Sequence, residues 1–338
     1  MAKIYGSITE LVGHTPIVEF RRLGKVLGLK GRVAGKLEYF NPAGSHKDRA
    51  GLEIIEAAEK RGEIDPEKTT LVEFTSGNMG IGIAAIAAAK GYKFKIGIQN
   101  GVSIERKKLM EAYNAEIVEP PAQLVAGVFE KGIEAFNDVY DWFLENTPNS
   151  WSTRQLSNPD NVAAHYKYTG PEIWEDTEGK IDIFVGGVGT GGSTHGIGKF
   201  LKEKNSKIKV VIVQPDNRDV ENPIVKGAED GGFHGIHAVH DENGLNLMAP
   251  TNFNENYVDE YQTVNYAQTL RAIHLLARYE GIFVGTSSGA SLAIAIRQAL
   301  KEENKGKLIV PLLPDNGERY LSEDLQHVRE DIESKAEF

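Results

Sequence analysis

A lysine stands where the sequence predicts the start of a helix. Residues 41–51 read NPAGSHKDRAG, a turn-forming stretch of Asn, Pro, Gly and Ser followed by a helix-forming run. The N-terminus of a helix carries a partial positive charge, which suits the carboxylate of Asp48 but disfavours the ammonium group of Lys47. A positive potential lowers the pKa of an amine and leaves it nucleophilic. Lys47 is therefore a candidate catalytic nucleophile, with an ordinary solvated lysine as the alternative.

Three glycine-rich stretches each follow a predicted strand and precede a predicted helix. They read TSGNMGIG at residues 75–82, GGVGTGGSTHG at residues 186–196 and GTSSGAS at residues 285–291. In this geometry the backbone N–H groups and the helix N-terminus can bind an anion. Loops at the carboxyl ends of parallel strands converge on the ligand cleft of an open α/β sheet, so we expect the three stretches to serve one bound molecule.

The middle stretch also allows a second interpretation. Gly187, Gly189 and Gly192 match the G-x-G-x-x-G fingerprint of dinucleotide-binding proteins. Asp216 stands near the end of the next predicted strand, as that fingerprint requires. The protein would then be an NAD-dependent oxidoreductase. Pro215, directly before the acidic residue, argues against this interpretation, which also assigns no role to the lysine or to the other two stretches.

The order of the predicted elements indicates an α/β protein. Short apolar runs alternate with amphipathic stretches, as in βαβ units with mostly parallel sheets. We predict strands over residues 32–40, 69–75, 93–99, 115–120, 181–188, 209–215, 281–285 and 308–314. We predict helices over residues 46–61, 79–90, 103–113, 124–145, 160–175, 192–204, 266–280, 288–303 and 318–321. A chain of 338 residues favours two lobes, and a polar stretch at residues 145–159 is a plausible break between them.

The composition excludes several classes of protein. A hydrophobic content of 41% with no long apolar run predicts a protein that does not span a membrane. The formal net charge of -10, without a basic cluster, argues against nucleic-acid binding and favours a small-molecule ligand. The chain has no cysteine, so it has no disulfide, thiolate metal site or cysteine nucleophile. No secretory signal is recognisable at the N-terminus, and we expect a cytoplasmic location.

A nucleophilic lysine, a phosphate-binding turn and further polar loops are together what a pyridoxal phosphate enzyme requires. Ordered motifs along nearly the whole chain resemble those of the cysteine synthase (O-acetylserine sulfhydrylase) family, in the fold group typified by the tryptophan synthase β subunit. These motifs are LVGHTPIVEFRRL, NPAGSHKDRA, TSGNMG, QLSNPDNVAAHYKYTGPEIW, GVGTGGS, EGIFVGTSSGAS and LPDNGERYLS.

The resemblance implies an architecture known as fold type II of the pyridoxal phosphate enzymes. It implies two lobes, each an open, mostly parallel sheet flanked by helices, with pyridoxal 5'-phosphate in the cleft between them. Residues 1–44 and 151–338 would form the larger, cofactor-binding lobe. Residues 45–150 would form the smaller, mobile, substrate-binding lobe. The resemblance also implies a homodimer.

The resemblance further implies a role for the residues of each motif. Lys47 would form the Schiff base with the cofactor, Asn78 would bind its ring hydroxyl, and Ser287 would face its pyridine nitrogen. The phosphate loop would consist of Gly189, Thr190, Gly191, Gly192 and Ser193. The substrate-binding residues would be Thr75, Ser76, Gly77, Asn78, Met79, Gln155 and Gly235, most of them around the substrate carboxylate.

This chain departs from the family pattern at two places. Met79 stands where the sulfhydrylases usually have threonine, which removes a hydroxyl that could bind the substrate. His237 stands where the family usually has glycine, in the stretch HGIHAVHDENGLNLMAP that also contains His234, His240 and Asp241. His237 and Asp241 are candidate acid–base residues, and a solvated surface loop is the alternative. We predict no metal here, because no regular helix is evident and the family needs none.

The resemblance implies β-replacement on an amino acid through an aminoacrylate. Lys47, once displaced by the substrate, would remove the α-proton, and a nucleophile would add to the aminoacrylate after the β-substituent has left. We expect a cysteine synthase that converts O-acetylserine and sulfide to cysteine and acetate. The alternative is a cysteine lyase that releases sulfide and forms serine or another β-substituted alanine. The oxidoreductase is the alternative from another class.

Overall fold

A computed structural model gives the conformation of most of the chain. It describes residues 4–75, 77–98, 103–131, 134–216, 232–233, 236–237, 239, 250–322, 325 and 337–338. Two main sheets organise these residues, one of six strands and one of four. Among the described residues no helix is long and apolar enough to cross a membrane.

The larger sheet is parallel except at one edge. Its spatial order is β1-β2-β12-β7-β8-β11, and only β1 runs antiparallel to its neighbour. Strands β7, β8 and β12 lie at or next to the centre and are almost continuously buried and apolar, as is typical of strands covered on both faces. The strands are β1 (Ile17–Glu19), β2 (Arg32–Leu37), β7 (Ile181–Gly187), β8 (Lys209–Pro215), β11 (Glu260–Val264) and β12 (Leu308–Leu313).

The smaller sheet is parallel throughout, with the order β5-β4-β3-β6. Its strands are β3 (Thr70–Phe74), β4 (Lys93–Gly97), β5 (Glu116–Val118) and β6 (Ser150–Ser152). A separate two-residue antiparallel ribbon pairs β9 (Gly232–Phe233) with β10 (Ile236–His237).

Helices cover both faces of each sheet. In the larger sheet, Ile183 and Val185 pack on the face covered by α10 and α11, while Phe184 packs on the face covered by α8 and α9. In the smaller sheet, Leu71 faces α2, α3 and α4, and Val72 faces α5 and α6. The helices are α1 (Arg21–Leu27), α2 (Lys47–Arg61), α3 (Asn78–Lys90), α4 (Ile104–Ala112), α5 (Ala122–Lys131), α6 (Glu134–Asn146), α7 (Pro159–Ala164), α8 (Gly170–Asp176), α9 (Gly192–Lys204), α10 (Tyr266–Glu280) and α11 (Thr286–Leu300).

The predicted α/β class with parallel sheets is confirmed, and most predicted elements are present. The prediction of a strand over 281–285 is wrong, because in this connection between α10 and α11 only Val284 pairs, in an isolated bridge to Asn316. The single helix predicted over 160–175 is interrupted by a π-helical segment, His165–Thr169, between α7 and α8. The division into lobes remains a prediction; strand Ser150–Ser152, which pairs within the smaller sheet, lies across its boundary at residue 150.

Candidate active site

Lys47 is the first residue of α2 and contacts the glycine-rich turn after β7. Its Nζ donates a hydrogen bond of 3.0 Å to Oγ1 of Thr190, a residue that is 8% exposed. Burial lowers the pKa of Lys47 to about 8, against the weaker opposing effect of the Glu73 carboxylate. No carboxylate in the described part of the chain forms an ion pair with this amine. Burial, rather than the helix terminus considered in the sequence, is thus the main cause of the lowered pKa.

The turn before Lys47 is closed by its own polar groups. Gly44 has a φ of 83°, a conformation that favours glycine. Oδ2 of Asp48 accepts a hydrogen bond of 2.6 Å from the N–H of Ala43, and Oγ of Ser45 accepts one of 3.2 Å from the N–H of Lys47. Burial raises the pKa of Asp48 to about 7. These contacts fix the position at which the lysine side chain leaves the helix.

The three glycine-rich stretches all lead into helices without a side-chain cap. Helices α3, α9 and α11 begin after Gly77, Gly191 and Gly285, and none receives a capping hydrogen bond from a side chain of the described residues. The first N–H groups of a helix have no intrahelical acceptor, so these termini can bind anions. Gly191 has a φ of 80°, and a Cβ there would lie 2.7 Å from the backbone nitrogen of Phe253. A larger residue would therefore not allow this turn.

The turn before α3 has no close neighbour at Gly77 in the described part of the chain. A Cβ at Gly77 would meet no heavy atom within 4 Å among the described residues, and the N–H of Gly77 points to Oγ1 of Thr75 at 3.4 Å. Ser76 lies outside the described residues. Met79 is 1% exposed and packs in the apolar core of the smaller sheet. Any contact of Met79 with a substrate would therefore use its backbone N–H.

Asn78 is held by two charged residues of the C-terminal motif. Its Nδ2 donates a hydrogen bond of 2.7 Å to Oδ2 of Asp315, and its Oδ1 accepts one from Arg319. A primary amide has two N–H groups and two acceptor sites, so one of each remains for a ligand. Asp315 forms a bridge to Ser45, and its carbonyl accepts a hydrogen bond of 3.2 Å from the N–H of Gly285. Asp315 thus connects the Lys47 turn with the turns before α3 and α11.

Gln155 has a fixed backbone and an available side chain. Its N–H donates to Oε2 of Glu73 at 3.3 Å, and its carbonyl accepts hydrogen bonds of 2.9 Å from both Asn161 and Asn252. Its side-chain amide has no hydrogen bond within the part of the chain that the structure describes. Glu73 and Asn161 were not predicted from the sequence. The lone carboxylate in the apolar strand TLVEF was the available signal for Glu73.

Ser287 is the second residue of α11 and is 6% exposed. Its carbonyl accepts a hydrogen bond of 3.1 Å from Oγ of Ser291. Its side-chain hydroxyl has no hydrogen-bond partner among the described residues. A Cβ at Gly285, just before the helix, would lie 2.3 Å from Oδ1 of Asp315. The close approach of Asp315 explains why this turn requires glycine.

Only part of the histidine-rich stretch is described. His234, Gly235, His240 and Asp241 lie outside the described residues, and His237 is described only as part of β10. Ile236 is buried, and a Cβ at Gly187 would lie 2.5 Å from its Cδ1. Ile236 therefore lies beside the end of β7, just before the glycine-rich turn. The acid–base roles of His237 and Asp241 remain predictions.

These residues fit a pyridoxal phosphate group. A partly buried amine with a lowered pKa suits covalent attachment of an aldehyde, and the uncapped terminus of α9 beside it suits a phosphate. Asn78 and Ser287 retain polar capacity for the ring. Lys47, the turn 189–193, Asn78 and Ser287 are thus the residues that would hold the group.

Comparison with known proteins identifies the family. Residues 8–315 match the family model described as pyridoxal-phosphate dependent enzyme. Cysteine synthase from Staphylococcus aureus is 39% identical over 322 residues, which are 94% of this chain and 96% of that protein. The crystal structure of O-acetyl serine sulfhydrylase isoform 3 from Entamoeba histolytica superposes with a TM-score of 0.80 at 36% identity, covering 96% of this chain and 92% of that one. A hydrogen sulfide-producing enzyme from Fusobacterium nucleatum has a TM-score of 0.78 at 33% identity, covering 94% and 100% of the two chains. The chain belongs to the pyridoxal-phosphate dependent enzyme family.

Proposed function

We propose that this protein synthesises cysteine from O-acetylserine and sulfide, with release of acetate. The observation that carries the proposal is the Lys47 amine, partly buried, lowered in pKa to about 8 and bonded to Thr190 beside the uncapped α9. The similarity to a cysteine synthase and to an O-acetyl serine sulfhydrylase supports this choice of substrates. The interpretation as an NAD-dependent oxidoreductase has no support, because the chain belongs to a pyridoxal-phosphate dependent family.

Lys47 has two proposed tasks. Pyridoxal phosphate, when bound, withdraws electrons from the α-carbon of an attached amino acid and so makes loss of the α-proton and of the β-substituent feasible. Lys47 attaches the cofactor in the resting enzyme and, when the substrate takes its place, accepts the α-proton. A pKa near 8 suits this work, because a useful fraction of the amine is unprotonated near neutral pH.

The remaining residues of the site bind and orient. Backbone N–H groups of residues 189–193 and the hydroxyl of Thr190 hold the phosphate. Asn78 faces the ring hydroxyl, and Ser287 faces the pyridine nitrogen as a neutral partner. The N-terminus of α3, with residues 75–79, and the side-chain amide of Gln155 hold the substrate carboxylate.

The larger-scale organisation is part of the same proposal. Residues 45–150 form a smaller lobe that closes over the substrate, and residues 1–44 with 151–338 form the lobe that holds the cofactor. The enzyme is a cytoplasmic homodimer whose partners are small molecules. The two separate sheets support the proposed lobes.

The lysine assignment is tested by replacing Lys47 with alanine. Reduction of the holoenzyme with borohydride, followed by peptide mass spectrometry, is expected to find the cofactor on Lys47 in the parent protein and on no lysine in Lys47→Ala. The matched control is Lys60→Ala, at the other end of α2. Cysteine formation is expected to fall by at least about 10²- to 10⁴-fold in Lys47→Ala and to be unchanged in the control. Cofactor found on another lysine of the parent protein would refute the assignment.

The choice of substrates is tested separately. Purified holoenzyme is given O-acetylserine with sulfide and, in a second reaction, cysteine alone, and cysteine, acetate and sulfide are measured. Rapid cysteine and acetate formation with slow sulfide release supports the proposal. Rapid sulfide release with little cysteine synthesis would instead make this chain a cysteine lyase, as the similarity to the Fusobacterium nucleatum enzyme allows.

A further inference from the structure

We infer that Asn161, a residue with no assigned role, positions the Thr190 hydroxyl so that it donates a hydrogen bond to the cofactor phosphate. The inference rests on the proposed function, because it takes Thr190 as a phosphate ligand. Asn161 is fully buried at the third position of α7, 29 residues from Thr190 in the chain. It lies between two predicted ligands, Thr190 of the phosphate turn and Gln155 of the substrate site.

The orientation of the Asn161 amide is fixed by an acceptor that cannot donate. Nδ2 of Asn161 donates hydrogen bonds of 2.9 Å to the carbonyl oxygen of Gln155 and to Oγ1 of Thr190. A flipped amide would place Oδ1 against the carbonyl oxygen, and two acceptors would repel each other. Both amide hydrogens are therefore used, and one of them always points at Thr190.

These bonds determine the direction in which the Thr190 hydroxyl can donate its own hydrogen bond. A threonine hydroxyl has two acceptor sites and one hydrogen. Oγ1 of Thr190 accepts from Asn161 Nδ2 at 2.9 Å and from Lys47 Nζ at 3.0 Å, so both acceptor sites are occupied. Its hydrogen has no acceptor among the described residues and remains for an anion at the start of α9. When Lys47 is attached to the cofactor, the bond from Asn161 remains and still keeps the Thr190 hydrogen out of the position that faces Asn161.

Close packing holds Asn161 against the phosphate turn. A Cβ at Gly192 would lie 2.2 Å from Oδ1 of Asn161, and a Cβ at Gly196 would lie 2.6 Å from the carbonyl oxygen of Val162. The glycines at 192 and 196 let α7 and α9 approach until the amide reaches the turn. Oδ1 of Asn161 is buried without a hydrogen bond from any described residue, which is costly and is tolerated where the other end of the amide is needed.

The test compares the affinities of the apoenzyme for pyridoxal phosphate and for pyridoxal, which lacks the phosphate. Binding is followed by absorbance. The dissociation constant of pyridoxal divided by that of pyridoxal phosphate measures the contribution of the phosphate alone, and this ratio falls when a phosphate contact is lost. Thr190→Val is expected to reduce this ratio about 10- to 100-fold, and Asn161→Ala about 10-fold. The double variant is expected to lose little beyond Thr190→Val, because the amide acts through the hydroxyl.

The matched control is Asn158→Ala. Asn158 caps the same helix, accepting from the N–H of Asp160 at 3.0 Å and donating to the carbonyl oxygen of Thr153 at 3.1 Å, without contact to Thr190. This variant is expected to lower thermal stability and to leave the ratio unchanged. If Asn161→Ala does not fold, Asn161→Asp keeps the side-chain volume and is expected to reduce the ratio further, since its carboxylate repels phosphate.

The outcomes separate the inference from the proposed function. Equal weakening of pyridoxal and pyridoxal phosphate binding by Asn161→Ala would show a merely structural role and overturn the inference alone. Additive losses in the double variant would do the same. An unchanged ratio in Thr190→Val would overturn the phosphate assignment of Thr190 and, with it, the role of Asn161. Attachment of the cofactor to Lys47 is measured independently.

Discussion

Helix α2 carries two cations in contrasting surroundings, Lys47 at its first position and Arg49 two residues later. Among the described side chains, Lys47 Nζ donates a hydrogen bond only to the Thr190 hydroxyl, and burial lowers the pKa of Lys47 to about 8. Arg49 is buried between two carboxylates and donates two hydrogen bonds of 2.7 to 3.0 Å to each of Glu38 and Glu172. Although burial opposes its charge, these carboxylates raise the pKa of Arg49.

The residues around Arg49 form one buried group, here called the Arg49 network. Lys36 also contacts Glu172, at 2.9 Å, and Thr15 donates to Glu38 at 2.7 Å. Burial raises the pKa of Glu172, but hydrogen bonds and charge from Arg49 outweigh it and hold that pKa at about 2. The Arg49 network consists of Thr15, Lys36, Glu38, Arg49 and Glu172.

The comparison shows how one helix provides both a fixed charge and a reactive amine. Partners from the end of β2 and from α8 keep Arg49 ionised and fasten α2 to the larger sheet. The lack of an acidic partner within ion-pair distance, in the described structure, leaves Lys47 able to lose its proton near neutral pH. Arg49 therefore sets the position of Lys47 by holding α2 in place. The carboxylates that pair with Arg49 do not pair with Lys47.

Removing the fixed charge should have the largest effect on stability. Arg49→Met leaves Glu38 buried without its cation and Glu172 with Lys36 alone, and is expected to lower the free energy of unfolding by about 3 to 5 kcal/mol. Urea unfolding of the apoenzyme measures this change. Arg61→Met, which removes an exposed cation from the other end of α2, is the control and should change stability little. Equal losses in the two variants would contradict the contrast between fixed and solvated charge.

Removing the unpaired charge should act in the opposite direction. Lys47→Met is expected to stabilise the apoenzyme at pH 7 by up to about 3 kcal/mol, because folding lowers the pKa from 10.5 to about 8 and so penalises the ammonium form. The unfolded chain binds more protons between pH 8 and 10.5, so the stability of the parent rises with pH in that window. The difference between variant and parent should shrink as pH rises from 8 to 10.5. A difference that is constant with pH would show that protonation of Lys47 does not destabilise the folded protein.

A conservative change at Arg49 should lower the free energy of unfolding by less. Arg49→Lys keeps the charge but cannot form paired hydrogen bonds to two carboxylates at once, and should cost about 1 to 2 kcal/mol in the free energy of unfolding. Lys47 attachment to the cofactor should persist in this variant, measured by borohydride reduction. A loss as large as that of Arg49→Met would show that the fork geometry, rather than the charge, holds α2 in place.

Local sequence predicted those elements whose burial pattern is strong. Strands β7, β8 and β12 were predicted to within one residue at each end, because they are continuous apolar runs in the centre of a sheet. Strand β11 was missed because its burial is only partial, and β6 because it is three residues long. The run GIFVG at 281–285 has strand-forming residues, but these five residues only connect α10 to α11, and Val284 alone among them pairs, in an isolated bridge to Asn316.

The site was predictable in parts. The place of Lys47 at a predicted helix start marked it as a candidate, the resemblance to the cysteine synthase family implied Thr190, and the structure brings the two into contact. The Arg49 network could not be predicted, because Arg49 and Glu172 lie 123 positions apart and nothing local marks them as a pair. Asn161 was hidden for the same reason: its importance follows from the two acceptors that the fold places around its amide.

The backbone and the side chain of Met79 serve two different purposes. Its N–H belongs to the first turn of α3, which we propose binds the substrate carboxylate, while its side chain, 1% exposed, fills the core beneath α3. A shorter or polar side chain at this position would alter the substrate turn and also leave a cavity or an unpaired hydroxyl inside the smaller sheet's core. Selection for a new substrate at position 79 is therefore constrained by folding, and changes there require compensating substitutions in the core.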